Sequence, residues 1–314
     1  MQFVLIILCL GLAFVPAEAQ KKKHKKNKHH TGTPVLWERT NIRQQDLYFG
    51  PGGKQMLPDL SSIKLIRKEK GGASLKYRIE DGSGDVWVAK IGREAQSETA
   101  AVRLLSAIGF KTEVNYLVPR LTIPGVGSFT NVRLEARPDN IERGKSWKWG
   151  RNPFEKTRHM QALKVMMAFI NNWDMKSANN VILHTGGKDV YAISDLGVSF
   201  GKTGNNSWPL FWRIGRSRNV PEDYARTRLV RGVKKGRVKI KFNGKNRRKI
   251  KNITQADVRW LADLLTQLSD KQIRDAFRAA NYTPAQIDLL TNAVKNRIDQ
   301  LDRAGSGSRL AIAQ

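Results

Sequence analysis

The chain has 314 residues and is 40% hydrophobic, enough for one large domain or for two lobes sharing a cleft. It carries 56 Lys and Arg against 27 Asp and Glu, a formal net charge of +29, which favours anionic partners such as phosphates, nucleic acid, anionic lipid or an acidic polymer and says nothing about fold. A single cysteine, Cys9, excludes a disulfide framework and a Cys-ligated zinc site, and only His159 and His184 lie outside the first thirty residues, too few for a His-rich metal centre in the body of the chain.

Residues 1–19 read as a signal peptide. FVLIILCLGLAFV (3–15) is a thirteen-residue apolar run, short of the ~20 needed to span a bilayer, and Ala17 and Ala19 make a small-x-small cleavage site before Gln20. Export to a periplasm, secretory lumen or medium is expected, with no transmembrane span in the mature chain and no thiol left once Cys9 is removed. The basic run KKKHKKNKHH (21–30) directly downstream opposes translocation, so an uncleaved N-terminal anchor is the alternative. Residues 20–34 read as a disordered Lys/His-rich tail able to lie on an anionic surface.

Residues 35–60 are an irregular lead-in. IKLIRKE (63–69), SLKYRIED (74–81) and VWVAKIG (86–92) alternate and are separated by KGGAS and GSGD turns, which predicts a three-stranded antiparallel meander. REAQSETAAVRLLSAIG (93–109) predicts a helix ended by Gly109, with Glu98 on the core-facing stripe of Val102 and Leu105. Two further strands, 116–123 and 127–136, complete an N-terminal lobe over 35–136. A Trp-rich loop (137–153) precedes a helix at 154–171 that is apolar nearly all round at ALKVMMAFI. Strands VILH (181–184) and VYAISDLG (190–197) follow. A basic stretch leads to GRVKIKFNGKNRRKI (236–250), read as a hairpin turning at Asn243-Gly244. Thr254, a Ser269/Gln272 box and Thr283-Pro284 with Gln286 mark three helix starts in a C-terminal helical lobe over 137–302, and 303–314 reads as a flexible end.

Within these elements, Lys90 sits inside an apolar strand, Glu98 faces a core, and Asp174 and Asn179 flank the turn WDMKSAN after a buried helix. Asp195 ends an apolar strand before Leu196-Gly197. Alone, each has a bland reading: an edge lysine, a helix-margin glutamate, a turn-forming aspartate. Glu94 falls on a similar face to Glu98 and competes with it. In order, however, VWVAK, a Glu-bearing helix, Asp-x-Lys-x-x-Asn and DLG resemble the protein-kinase-like superfamily over roughly residues 60–200. The resemblance implies an α+β, two-lobed protein-kinase-like fold, with a small antiparallel-sheet lobe and a larger, mainly helical lobe. It implies an ATP-dependent phosphotransferase using Mg²⁺ or Mn²⁺ and a hydroxyl-bearing acceptor, protein Ser/Thr or small molecule. Lys90 would hold the nucleotide phosphates and pair with Glu98, since an unpaired charge in a strand meander is costly. Asn179 and Asp195 would hold the metal, Asp174 would take the acceptor proton, and Lys176 would stabilise the moving phosphoryl group. Gly71, Gly72 and Ser74 would cover the phosphates.

The chain also departs from the common pattern. Asn172-Trp173 stands where His-Arg usually precedes the catalytic Asp, no Ala-Pro-Glu follows DLG, and the Gly-rich loop is reduced to a Gly pair. These features look more like atypical branches: HipA-like, lipid-kinase-like and secreted-kinase-like proteins. The rival readings are a pseudokinase and a non-catalytic, exported polyanion-binding protein, the latter resting on the basic stretch 231–251 with Trp208 and Trp212. The same basic stretch could serve a kinase in capturing an acidic acceptor. A monomer is expected.

Overall fold

Alternation in the meander has the consequence expected of a half-buried sheet. In this computed structural model, which describes residues 31–71, 74–204 and 215–307, strand β1 (Thr33–Val35) is followed by β2 (Lys64–Lys68), β3 (Leu75–Glu80) and β4 (Val86–Ile91). Helix α1 (Glu94–Ala107) comes next, then β5 (Asn115–Ile123) and β6 (Gly127–Ala136). The last five strands form one antiparallel sheet in the order β2-β3-β4-β6-β5. Because successive side chains point to opposite faces, Tyr77, Ile79, Trp87, Ala89, Val132 and Leu134 gather into one apolar cluster. The residues between them, including Arg78, Lys90, Arg133 and Glu135, take the other face.

The larger lobe begins with β7 (Glu142–Arg143) and α2 (Arg158–Phe169), whose start is fixed by the Thr157 hydroxyl accepting from the Met160 N–H. Hairpin β8 (Asn180–Thr185) and β9 (Lys188–Ile193), the short α3 (Pro221–Ala225), hairpin β10 (Val230–Lys234) and β11 (Arg237–Ile240), and helices α4 (Gln255–Leu265), α5 (Asp270–Arg278) and α6 (Pro284–Ser306) complete it. Thr254/Asp257, Ser269/Gln272 and Thr283/Gln286 each form a capping box. From Thr31 onward the chain is one compact unit: the lobes have separate apolar clusters but are not independent domains.

Four expectations need correction. The first part of the lead-in joins the large lobe, not the small one: β1 pairs in parallel with β9, and Leu36, Ile42 and Leu47 are buried in the large-lobe core together with Leu104 and Leu105 of α1, whereas Met56 and Asp59 further on contact the small sheet. Thr33 and Pro34, assigned to the disordered tail, are part of that strand. The basic hairpin turns at Lys235-Gly236, where φ is +50° and +70° as a two-residue primed turn requires. Asn243 and Gly244 adopt no positive φ and lie in a loop against the segment 173–175. Finally, Arg303–Ser306 are helical, with Ala304 fully buried and Gly307 closing α6 at φ +75°. Residues 1–30, Gly72 and the stretch holding Trp208 and Trp212 lie outside the described residues, as do 308–314.

One buried arginine positions the start of the loop after α2. Arg297 of α6 is 2% exposed and donates to the carbonyls of Ala168, Phe169, Tyr224 and Thr227, with its guanidinium 4.1 Å over the Tyr224 ring. Those carbonyls include ones that the end of α2 leaves without helical partners. Asn171 then turns the chain at φ +53°, its amide donating to Gly201 and Thr227.

Candidate active site

Lys90 and Arg133 are direct cross-strand neighbours on β4 and β6. Two cations facing each other in a sheet repel, and both are almost fully buried. Glu98 of α1 resolves the conflict: its two oxygens accept from Lys90 Nζ and from Arg133 Nη1, each at 2.9 Å. Burial pushes the Glu98 carboxyl up, against the pull of Arg133 and Lys90. Burial alone would lower Lys90, but Glu98, Asp195 and Glu94 outweigh it and hold the ammonium well above its usual range. The two directions disagree about the proton; a cation donor on each carboxylate oxygen decides for the ionised pair.

The same lysine reaches two more carboxylates, Glu94 Oε2 at 3.1 Å and Asp195 Oδ1 at 3.2 Å. Glu94, the competitor for Glu98, is therefore a second partner, while Glu98 has the shorter contact and the deeper burial. Asp195 lies just beyond β9, not within it. Gly197 two residues on is needed for close approach: a Cβ there would fall 2.6 Å from Glu94 Cβ. Ser97 Oγ donates to the Gly197 carbonyl at 2.5 Å. Helix α1 and the Asp195-Leu196-Gly197 turn are thus locked together. Burial would raise the Asp195 carboxyl, but Lys90, the Gly197 N–H and Arg133 together hold it below the usual carboxylate range.

Asp174 and Asn179 lie on the loop between α2 and β8. Asn172 Oδ1 accepts from the Asp174 N–H, and Asn179 Nδ2 donates to the Asp174 carbonyl at 2.7 Å. The Asn179 carbonyl in turn accepts from the N–H groups of Ser194 at 2.9 Å and Asp195 at 3.2 Å. One asparagine therefore ties the Asp174 loop to the Asp195 turn. Lys176 Nζ lies 2.8 Å from Asp174 Oδ2, and Lys245 Nζ, from the basic segment, lies 2.8 Å from Oδ1. Burial pushes the Asp174 carboxyl up, yet the two lysines outweigh it and keep it below the usual range.

The glycine-containing turn is less engaged. Gly71 adopts φ +92°, and a Cβ there would meet nothing within 4 Å; the Ser74 hydroxyl donates to Glu94 at 3.1 Å. Sequence reasoning passed over Arg133 and Glu135, although the alternation Val132-Arg133-Leu134-Glu135-Ala136 carries the same signal that singled out Lys90. Through them the ion pairs extend from Glu98 to Arg137, Arg143 and Glu113. They end at a cavity of about 640 Å³ lined by Val114, Ala136, Ile141, Leu183, Arg78 and Arg137, among others, where the small sheet meets β8. Lys245 was not legible as a site residue, because nothing near it in sequence points to Asp174.

A five-stranded antiparallel sheet whose third strand carries a buried lysine, a helix pairing with that lysine, and a larger, mainly helical lobe presenting Asp174, Asn179 and Asp195 make up an α+β fold of two lobes. No protein-family model matches the chain, and no curated protein matches it in sequence. Among solved structures, a Helicobacter pylori proinflammatory kinase, CtkA, is similar, at 11% identity over 80% of this chain and 98% of that one, with a TM-score of 0.48.

Proposed function

We propose that the chain is an ATP-dependent phosphotransferase that delivers a phosphoryl group to a hydroxyl acceptor. The observation that carries this reading is the convergence of Glu98 and Asp195 on the Lys90 ammonium, each within hydrogen-bond reach of it, with Asn179 bonded to both the Asp174 and the Asp195 backbone. Phosphoryl transfer asks little covalent work of a protein and much positioning of charge. Lys90, held cationic, binds phosphate oxygens. Glu98 keeps its ammonium in place. Asp174, held ionised, accepts the proton of the acceptor hydroxyl as that oxygen attacks, and Lys176 offsets charge on the transferred group.

The donor set fits a divalent cation. Asp195 supplies an ionised carboxylate whose side chain is 37% exposed, and Asn179, whose amide N–H is already used, supplies its amide oxygen. These are hard oxygen ligands of the kind Mg²⁺ or Mn²⁺ takes alongside phosphates. When bound there, the metal would neutralise phosphate charge.

The test uses the purified mature chain with labelled ATP, Mg²⁺ or Mn²⁺ and a panel of hydroxyl acceptors. Asp195→Ala should abolish transfer and metal-dependent nucleotide binding together. Asp174→Asn should lower transfer by at least ~100-fold while nucleotide still binds. A wild-type chain that binds no nucleotide and labels neither itself nor any acceptor ends this reading.

A further inference from the structure

The basic segment after β11 is built onto the catalytic loop. The Lys245 N–H donates to the Trp173 carbonyl at 2.7 Å, and Asn246 Nδ2 donates to the Met175 carbonyl at 2.5 Å. Gly244 has no room for a side chain, since a Cβ there would fall 2.7 Å from Trp173 Cα. Three consecutive residues therefore follow the backbone of 173–175, and a shift of one carries the other. This contact delivers the Lys245 ammonium to Asp174 Oδ1 while Lys176 occupies Oδ2. Both lysine side chains remain open to solvent, at 37% and 46% exposure, whereas Asp174 is 11% exposed. An acceptor hydroxyl that reaches Asp174 must pass between two ammonium groups.

The positive surface continues on both sides. Arg216 donates to the Asn243 carbonyl at 3.1 Å and lies 5.1 Å over the Trp173 ring. Arg247 and Arg248 follow Asn246 on the exposed side. These cations run along a path of bonded neighbours at the surface, which suits an extended chain more than a compact molecule. Ammonium groups held that close to the entry point of the acceptor repel a cationic partner and attract a carboxylate.

We infer that the acceptor is an acidic polypeptide segment, with a carboxylate beside the reacting hydroxyl, and that Lys245 is the residue that receives that carboxylate. The inference rests on the phosphotransferase reading for the word acceptor, but the surface can be tested without turnover. Two labelled peptides of equal length are compared by fluorescence anisotropy at ~0.15 M salt, one with Ser flanked by Glu and one with Ser flanked by Gln. The mature wild-type chain should bind the Glu peptide at least ~10-fold more tightly. Lys245→Gln should lose most of that preference, Lys245→Arg should keep it, and Lys271→Gln, which removes the same charge from α5, should change nothing. Equal binding of the two peptides, or a Lys245→Gln chain indistinguishable from Lys271→Gln, overturns the inference. So does a Lys245-dependent preference for a single-stranded oligonucleotide over the Glu peptide, or faster labelling of both peptides by Lys245→Gln, which would make Lys245 a restraint on Asp174. Transfer from labelled ATP is followed in the same samples: a preserved Glu preference with no transfer by the wild type sinks the phosphotransferase reading and leaves the acidic-peptide surface standing.

Discussion

Lys90 and Arg133 face each other across two strands and are tolerable only because Glu98 lies between them, with Glu135 on the far side of Arg133. Removing one member of a buried ionic cluster leaves the others uncompensated, at a cost of about 3–5 kcal/mol. Arg133→Met takes a donor from two fully buried carboxylates, Glu98 and Glu135, which keep only Lys90 and Arg137, whereas Lys90→Met takes one from a single fully buried carboxylate, Glu98, which keeps Arg133. The expected order in urea unfolding is therefore that Arg133→Met lowers the midpoint more than Lys90→Met, while in phosphoryl transfer Lys90→Met is the more damaging; the reverse order in either measurement would contradict the cluster. The pH dependence follows from Asp174 and Asp195. Both carboxyls are depressed in the folded chain, so the ionised forms that the proposed transfer needs persist below the usual carboxylate range and are lost only as pH falls further. Lys176→Gln removes one of the groups holding Asp174 down, so its pH–rate profile should show the acid limb displaced upward. At this scale VAK, DMKSAN and DLG were legible because residue type and spacing are local. Arg133 was equally visible as a charge in an apolar strand, but its partner is set by strand register.

Among the elements, helices were the most legible. Thr254, Ser269 and Thr283 announce their helices because a cap is satisfied within four residues. The basic hairpin was not. Asn-Gly is the stronger turn signal, yet the chain turns at Lys235-Gly236, because that register buries Val230 and Val238 and frees Gly244 to lie against Trp173. Burial over a whole strand pair outweighs the preference of one dipeptide. The packing of α1 on the Asp195 turn is a contact of the same kind. Gly197→Ala places a methyl group on Glu94, and overpacking of this sort costs ~1–3 kcal/mol. The strain falls on the junction that holds Lys90 to Glu98, so nucleotide binding should weaken by more than the loss of stability in urea explains. Unchanged nucleotide affinity would separate the junction from the site.

The molecule as a whole is held by a lead-in that the alternation pattern left unassigned. Gln272 of α5 donates to the carbonyls of Ile42 and Gln45, and Glu38 bridges Lys111 and Lys188. Hydrogen bonds from Lys111 and then Lys188 hold the Glu38 carboxyl down to about 2. With the folded value below the unfolded one, its stabilisation is complete above the ordinary carboxylate range and fades as pH falls towards 2. The group is partly exposed, so Glu38→Gln should cost less than ~1 kcal/mol at pH 7, and the gap between the two chains should narrow as pH falls from the ordinary carboxylate range towards 2; a gap that does not narrow would mean the bridge is not electrostatic.

Charge, the capped starts of the last three helices, strand alternation and the order of the motif residues were determined by the sequence alone, since each depends on neighbours a few positions away. Which lobe the lead-in joins, where the basic segment turns, and the arrival of Arg133 and Lys245 at Glu98 and Asp174 were decided only by the tertiary structure. Those contacts join residues far apart in the chain, and their energy comes from burying a whole face and neutralising a buried charge, quantities that no short window of residues contains.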